Sequence, residues 1–205
     1  MIKPTISFWL LWIFVTSIGS VIGFLVSPLF IPLFSGDWYL DFYISLINMV
    51  ISGFLIGLGQ WIILRKRFKN VWGWVFTIAI GLPLGVCMGL FGIAVKLPAS
   101  DFYPAYVTGI TTCVAGLIIG IFQWLVLRAK FGNGFTWTLV SMLSWGLGIT
   151  GPLLISQTYS GNGSYPEWDI VGLFMGAIVA MISGAFVEST LMQTEHARMV
   201  PNDAS

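Results

Sequence analysis

Apolar residues run along this chain in long blocks, broken at short intervals by charged or turn-forming clusters such as Arg65–Asn70 and Arg128–Asn133. The blocks predict helices near 8–31, 42–64, 72–95, 104–127, 135–156 and 169–191. Each is close to the roughly 20 residues a helix needs to cross about 30 Å of hydrocarbon. The connections are short, so consecutive helices are expected to be antiparallel neighbours, with no segment long enough for a separate soluble domain. The expected fold class is therefore all-α: a polytopic membrane protein with six transmembrane helices over residues 1–192 and a polar, cytoplasmic tail at 193–205.

Composition agrees with this pattern. Of 205 residues, 57% are hydrophobic and 8% charged, and the mean hydropathy is +0.92. A soluble domain carries about 25% charged residues, which this chain does not have for a wetted surface. The net charge of +1 leaves no basic face for nucleic acid. Cys87 and Cys113 fall inside apolar runs and read as small hydrophobes, not as a disulfide framework or a metal site. After Lys3, the apolar run Ile6–Phe34 exceeds a signal-peptide core and shows no A-x-A pattern, so it is expected to be a retained first span.

The cations sort by face. Lys3, Arg65, Lys66, Arg67, Lys69, Arg128, Lys130 and Arg198 fall on the side holding both termini, and Lys96 alone on the other. The positive-inside rule then puts both termini in the cytoplasm. Asp41-Phe42-Tyr43, Asp101-Phe102-Tyr103 and Glu167-Trp168-Asp169 open the even-numbered helices on the outer face. There, acids satisfy free helix N–H groups and aromatics sit at headgroup depth; a cation-concentrating ring is the alternative.

The chain also repeats itself. Residues 53–85 placed over 116–148, a constant offset of 63, align GFLIGLGQWIILRKRFKN with GLIIGIFQWLVLRAKFGN. Further back, Trp12, Gly19 and Gly23 match Trp74, Gly81 and Gly85, and then Trp137, Ser144 and Gly148. In the last helix Gly176, Ala180, Ser183, Gly184 and Glu188 fall over Gly116, Gly120, Gln123, Trp124 and Arg128. The expected unit is a helical hairpin used three times, near 8–68, 72–131 and 135–191. Two spans per unit make the copies parallel, with approximate threefold symmetry about the membrane normal.

The QWxxLR pair, flanked by GxxxG and followed by a Trp-containing helix, resembles a group of small multi-pass membrane proteins found in cyanobacteria and some other bacteria. The resemblance covers helices two to five and implies a bacterial inner (plasma) membrane or a thylakoid membrane. It brings no activity with it.

Small residues four apart recur in every helix, from Gly19 and Gly23 to Gly172 and Gly176. They are expected to form grooves for close packing within the bundle, or in one case for oligomerisation. Pro83, between Gly81 and Gly85, marks a kink or hinge in helix three.

The candidate binding residues are Gln60, Trp61, Gln123, Trp124, Arg65, Arg128 and Glu188. The amides either lock helices together by hydrogen bonds of about 1 kcal/mol, with the indoles as interfacial anchors, or form the polar contacts of a ligand pocket walled by the indoles. An amide oxygen could also ligate a chlorophyll magnesium, but no membrane-embedded His supports pigment binding. Glu188 reverses the charge of Arg65 and Arg128 in the alignment and is expected to contact one of them.

No ionisable group is placed in the central bilayer, and His196 stands in the tail. No catalytic residue, metal site or cofactor is expected. The expected role is a non-enzymatic structural or accessory module binding membrane-protein partners, lipids or a second copy of itself. A passive carrier or channel for a small neutral or lipophilic solute is the alternative, and a lipid-acting enzyme ranks third. Reporters placed after Ser205 should behave as cytoplasmic and those at Gly36, Ser100 and Gly163 as external. Labelling of the Arg65–Lys69 loop from outside intact cells would overturn this orientation.

Overall fold

The computed structural model describes residues 6–30, 38–93, 103–128, 134–159, 174–187 and 189. Among them there are six helices and no strand: α1 (Ile6–Phe30), α2 (Trp38–Leu64), α3 (Trp74–Ile93), α4 (Tyr103–Leu127), α5 (Gly134–Tyr159) and α6 (Phe174–Val187). Three stretches, Tyr39–Leu64, Trp74–Phe91 and Val107–Leu127, are long and apolar enough to cross a membrane. The sequence-based boundaries hold to within a few residues, with α2 starting earlier, at Trp38, so that Asp41 lies in its first turn.

Each helix packs on the next, and α6 reaches back to α1. Glycine makes every one of these contacts close. A Cβ on Gly19 would stand 3.1 Å from the Ile56 Cα across α1 and α2. One on Gly53 would stand 2.8 Å from the Ala79 backbone across α2 and α3, and one on Gly81 3.2 Å from the Ile119 Cα across α3 and α4. An added Cβ on Gly116 would stand 2.9 Å from the Met142 Cα in α5, one on Gly148 3.2 Å from the Met175 carbonyl in α6, and one on Gly176 2.7 Å from the Ser17 Cα in α1. Apolar burial gains little where the surroundings are equally apolar, so the attraction left is van der Waals contact, which grows as backbones approach. The described glycines of the four-residue pattern thus face neighbouring helices; Gly172 lies outside the described residues.

The outward surface is apolar as well. Phe14, Phe54, Phe76, Met88, Phe91, Leu125, Phe135 and Leu147 are all exposed. Helices apolar on every side belong in a lipid-like solvent, because water would not tolerate so much contiguous hydrocarbon. The polar side chains go inside instead: Thr16, Ser20, Gln60, Thr77, Thr111, Thr112, Gln123, Ser141, Ser144 and Ser183 are all buried.

The α2–α3 connection closes tightly. Phe68 N–H donates to the Leu64 carbonyl at 2.8 Å, and Trp74 N–H to the Val71 carbonyl at 3.0 Å. Between them Asn70 adopts φ 58°, a left-handed conformation that asparagine accepts more readily than most residues. This accounts for the asparagine that ends the repeated motif at Asn70.

Glycine at position 53 has no room for a methyl, whereas nothing lies within 4 Å of a Cβ added at Gly151. Gly53→Ala should therefore destabilise the bundle by about 1–3 kcal/mol through overpacking. Gly151→Ala should leave the thermal midpoint unchanged or raise it. Equal midpoints for the two variants would show that the α2–α3 contact is looser than described.

Candidate functional site

Trp12, Trp74 and Trp137 stand near the N-terminal ends of α1, α3 and α5, at matching positions of the sequence alignment. They come together in one core cluster. Their exposures are 1%, 0% and 1%; Trp12 and Trp74 have ring centroids 6.2 Å apart in an edge arrangement, and Trp74 and Trp137 are 6.0 Å apart. Three indoles therefore fill the interior at the end of the bundle where α2 and α4 finish. Phe8, Ile63, Leu64, Val71, Leu127, Ala180 and Val187 complete that layer.

An indole is bulky and apolar but carries one N–H, which is costly to bury without an acceptor. For Trp74 and Trp12 the acceptors come from α2 and α6. Trp74 Nε1 donates to Gln60 Oε1 at 3.0 Å, and Gln60 Nε2 donates in turn to Thr16 Oγ1 at 3.0 Å. One amide on α2 thus ties α3 to α1. Trp12 Nε1 donates to Ser183 Oγ at 3.2 Å, and the Ser183 hydroxyl donates in turn to the Val179 carbonyl at 2.7 Å. Trp9 Nε1 adds a second α1–α6 bond, to the Met181 carbonyl at 3.3 Å. Ser183 is the residue that the alignment places over Gln60 and Gln123. The shorter serine does the same accepting work for Trp12 that the glutamine does for Trp74.

The candidate residues separate into an inner and an outer group. Gln60 and Gln123 point inward and are 3% and 4% exposed. Trp61 and Trp124 lie at the flank of the core, half-buried. Trp61 packs edge-on against the exposed Trp72, with ring centroids 4.5 Å apart, and the Arg65 guanidinium lies over it at 4.8 Å. The Trp124 indole tucks over Gly134 at the start of α5, with its Nε1 buried and no hydrogen-bond partner among the described residues. Arg65 and Arg128 are both exposed, and Glu188 lies outside the described residues together with its expected ion pair.

Gln60 and Trp61 are adjacent in sequence and face different surroundings, so the described geometry does not put amide and indole around one space at this position. Sequence reasoning singled out Gln60 without its partners Thr16 and Trp74, and did not single out Ser183 or Trp12 as members of the site. The recurring Trp of the odd helices, aligned against Gln, Gln and Ser in the even ones, was the signal that contained them.

The hydroxyls nearby look to their own helices. Ser20 donates to the Thr16 carbonyl, Thr77 to Trp74, Thr112 to Thr108, and Ser144 to Val140. Such bonds satisfy a buried hydroxyl without a partner helix. Among the described residues no group of three or more His, Cys, Asp or Glu is placed to hold a metal ion.

No family model matches this sequence, and no curated protein or solved structure matches it. Its chemistry has to come from the side chains themselves. Gln60→Leu should cost about 1–2 kcal/mol, since it strands the Trp74 N–H and frees the Thr16 hydroxyl. Combining it with Trp74→Phe should cost less than the sum of the two single losses, which a double-mutant cycle of thermal or denaturant midpoints measures. Strict additivity would mean the amide and the indole do not interact.

Proposed function

We propose that the protein is a non-enzymatic structural or accessory module of a bacterial membrane, built from three parallel helical hairpins and binding membrane-protein partners or lipids through its outer surface. The observation that carries this proposal is where the polar groups are spent. The amide, indole and hydroxyl hydrogen bonds described above join helices or close on their own backbone. Three indoles occupy the interior at one end, and the outer face offers a broad apolar surface.

The hairpin repeat is supported by contacts that recur with the alignment. Gly53 faces Ala79, Gly116 faces Met142, and Gly176 faces Ser17, the third contact joining the last hairpin to the first. The Trp74–Gln60 and Trp12–Ser183 bonds recur in the same sense. On this proposal all six helices span the bilayer. The α2–α3 and α4–α5 loops and both termini face the cytoplasm, in a plasma or thylakoid membrane, as the cation distribution favours.

A passive carrier would need polar groups turned toward an open path. The hydroxyls of Ser20, Thr77, Thr112 and Ser144 are bonded to their own helices, which favours the structural role. The purified chain reconstituted into vesicles should leave the efflux of small neutral solutes at the protein-free rate, and mild-detergent purification should recover a reproducible lipid or membrane-protein companion. Protein-dependent efflux of a neutral solute that changes on Trp74→Ala, with no companion recovered, would replace this function with the carrier.

A further inference from the structure

The chain carries its cations unevenly. Arg65, Lys66, Arg67 and Lys69 fall within five residues of the α2–α3 loop, and all four are exposed. At the corresponding positions of the α4–α5 loop Arg128 and Lys130 match Arg65 and Arg67, while Ala129 and Gly132 replace Lys66 and Lys69. Orientation in a membrane is served by a modest cation excess on one side, so packing and topology leave the additional pair at one corner unexplained.

The arginines of this corner are held in place. The Arg67 guanidinium lies 4.7 Å from the ring centroid of Phe8, a buried residue of α1, and Arg65 lies 4.8 Å from that of Trp61. Stacking on an aromatic face fixes a guanidinium plane and leaves its N–H edge free to bond an oxyanion. Trp72, exposed beside Trp61, presents an amphipathic ring of the kind that settles at headgroup depth. Asp41, the one carboxylate whose side chain is described, sits in the first turn of α2, about 36 Å along the helix from Arg65 at 1.5 Å per residue. It is too distant to neutralise the loop.

We propose that this loop is a docking site for the phosphate headgroup of an anionic phospholipid, an assignment that rests on the lipid-binding role proposed above and names the lipid class. Arg65 and Arg67 supply planar donors at the hydrocarbon edge, Lys66 and Lys69 supply mobile charges further out, and Trp72 lies against the acyl–headgroup boundary. A cluster of four cations beside a membrane-crossing helix is the electrostatic footprint of anionic lipid recognition.

The test uses the full chain, delipidated in neutral detergent and titrated with phosphatidylglycerol or phosphatidylcholine, with bound lipid counted by native mass spectrometry. Phosphatidylglycerol should bind more tightly, and the preference should shrink as salt is raised. Lys66→Gln and Lys69→Gln should each weaken it about fivefold, and Lys96→Gln, which the cation distribution puts on the opposite side, should not. Neither lysine joins the aromatic contacts, so these variants should keep the wild-type thermal midpoint. Equal affinity for the two lipids, or unchanged affinity in both lysine variants, overturns the site. Displacement of the lipid by inorganic phosphate would assign it to a soluble anion, and loss of a co-purifying acidic protein with lipid selectivity intact would assign it to a protein; either overturns the lipid assignment. Failure to float with phosphatidylcholine vesicles would defeat the membrane role itself, whereas flotation without selectivity defeats this site alone.

Discussion

Helix backbones in this protein come together at glycines, and everything else in the bundle depends on that approach. When the outer faces are as apolar as the inner ones, sequestering hydrocarbon gives a helix little reason to choose a neighbour. Van der Waals contact and interhelical hydrogen bonds must do so instead. Both fall off quickly with distance. Gly19 against Ile56 and Gly176 against Ser17 bring the axes close enough for side chains as short as Thr16 and Ser183 to bond across the α1–α2 and α1–α6 interfaces. A larger residue at any of these places would separate the very groups that confer specificity.

The indole cluster shows how volume and polarity are handled together. Trp12, Trp74 and Trp137 fill the end of the interior, where smaller residues would leave a void. Two of them, Trp74 and Trp12, hand their N–H to an acceptor on a neighbouring helix. For Trp74 the Gln60 amide accepts it and uses its other end on Thr16. For Trp12 a serine suffices, because Gly184 lets the indole approach α6, where an added Cβ would stand 2.8 Å from the Trp12 ring. The third hairpin's lack of the glutamine and tryptophan found in the other two is thus compensated by a shorter reach.

Much of this was legible in the sequence because membrane-like helices announce themselves by length and apolar content, and because a repeated glycine spacing has a single geometric use. All six helices appeared where the apolar blocks put them, and three of them have the length and hydropathy to cross a bilayer. The inward direction of Gln60 was harder to see. Gln60 and Trp61 are neighbours in a helix, about 100° apart around its axis, and nothing in the spacing says which of them faces the core. Thr16 was invisible as a partner because a lone threonine in an apolar run has no periodic signature. Ser183 was aligned with the glutamines and still not singled out, since the pattern records residue identity and not the distance over which each side chain must reach.

The bond between Trp12 and Ser183 joins residues 171 positions apart. During synthesis at 5–20 residues per second, the first helix therefore exists for on the order of ten to thirty seconds before its final neighbour has been made. Through that interval the α1 face that will meet α6, including the Trp12 N–H, has no permanent companion. The nascent chain must be chaperoned on that side by lipid, by water at the boundary or by the insertion machinery. A closed order of neighbours makes α1 wait for α6, so a chain stopped before α6 leaves the ribosome with that α1 surface still open.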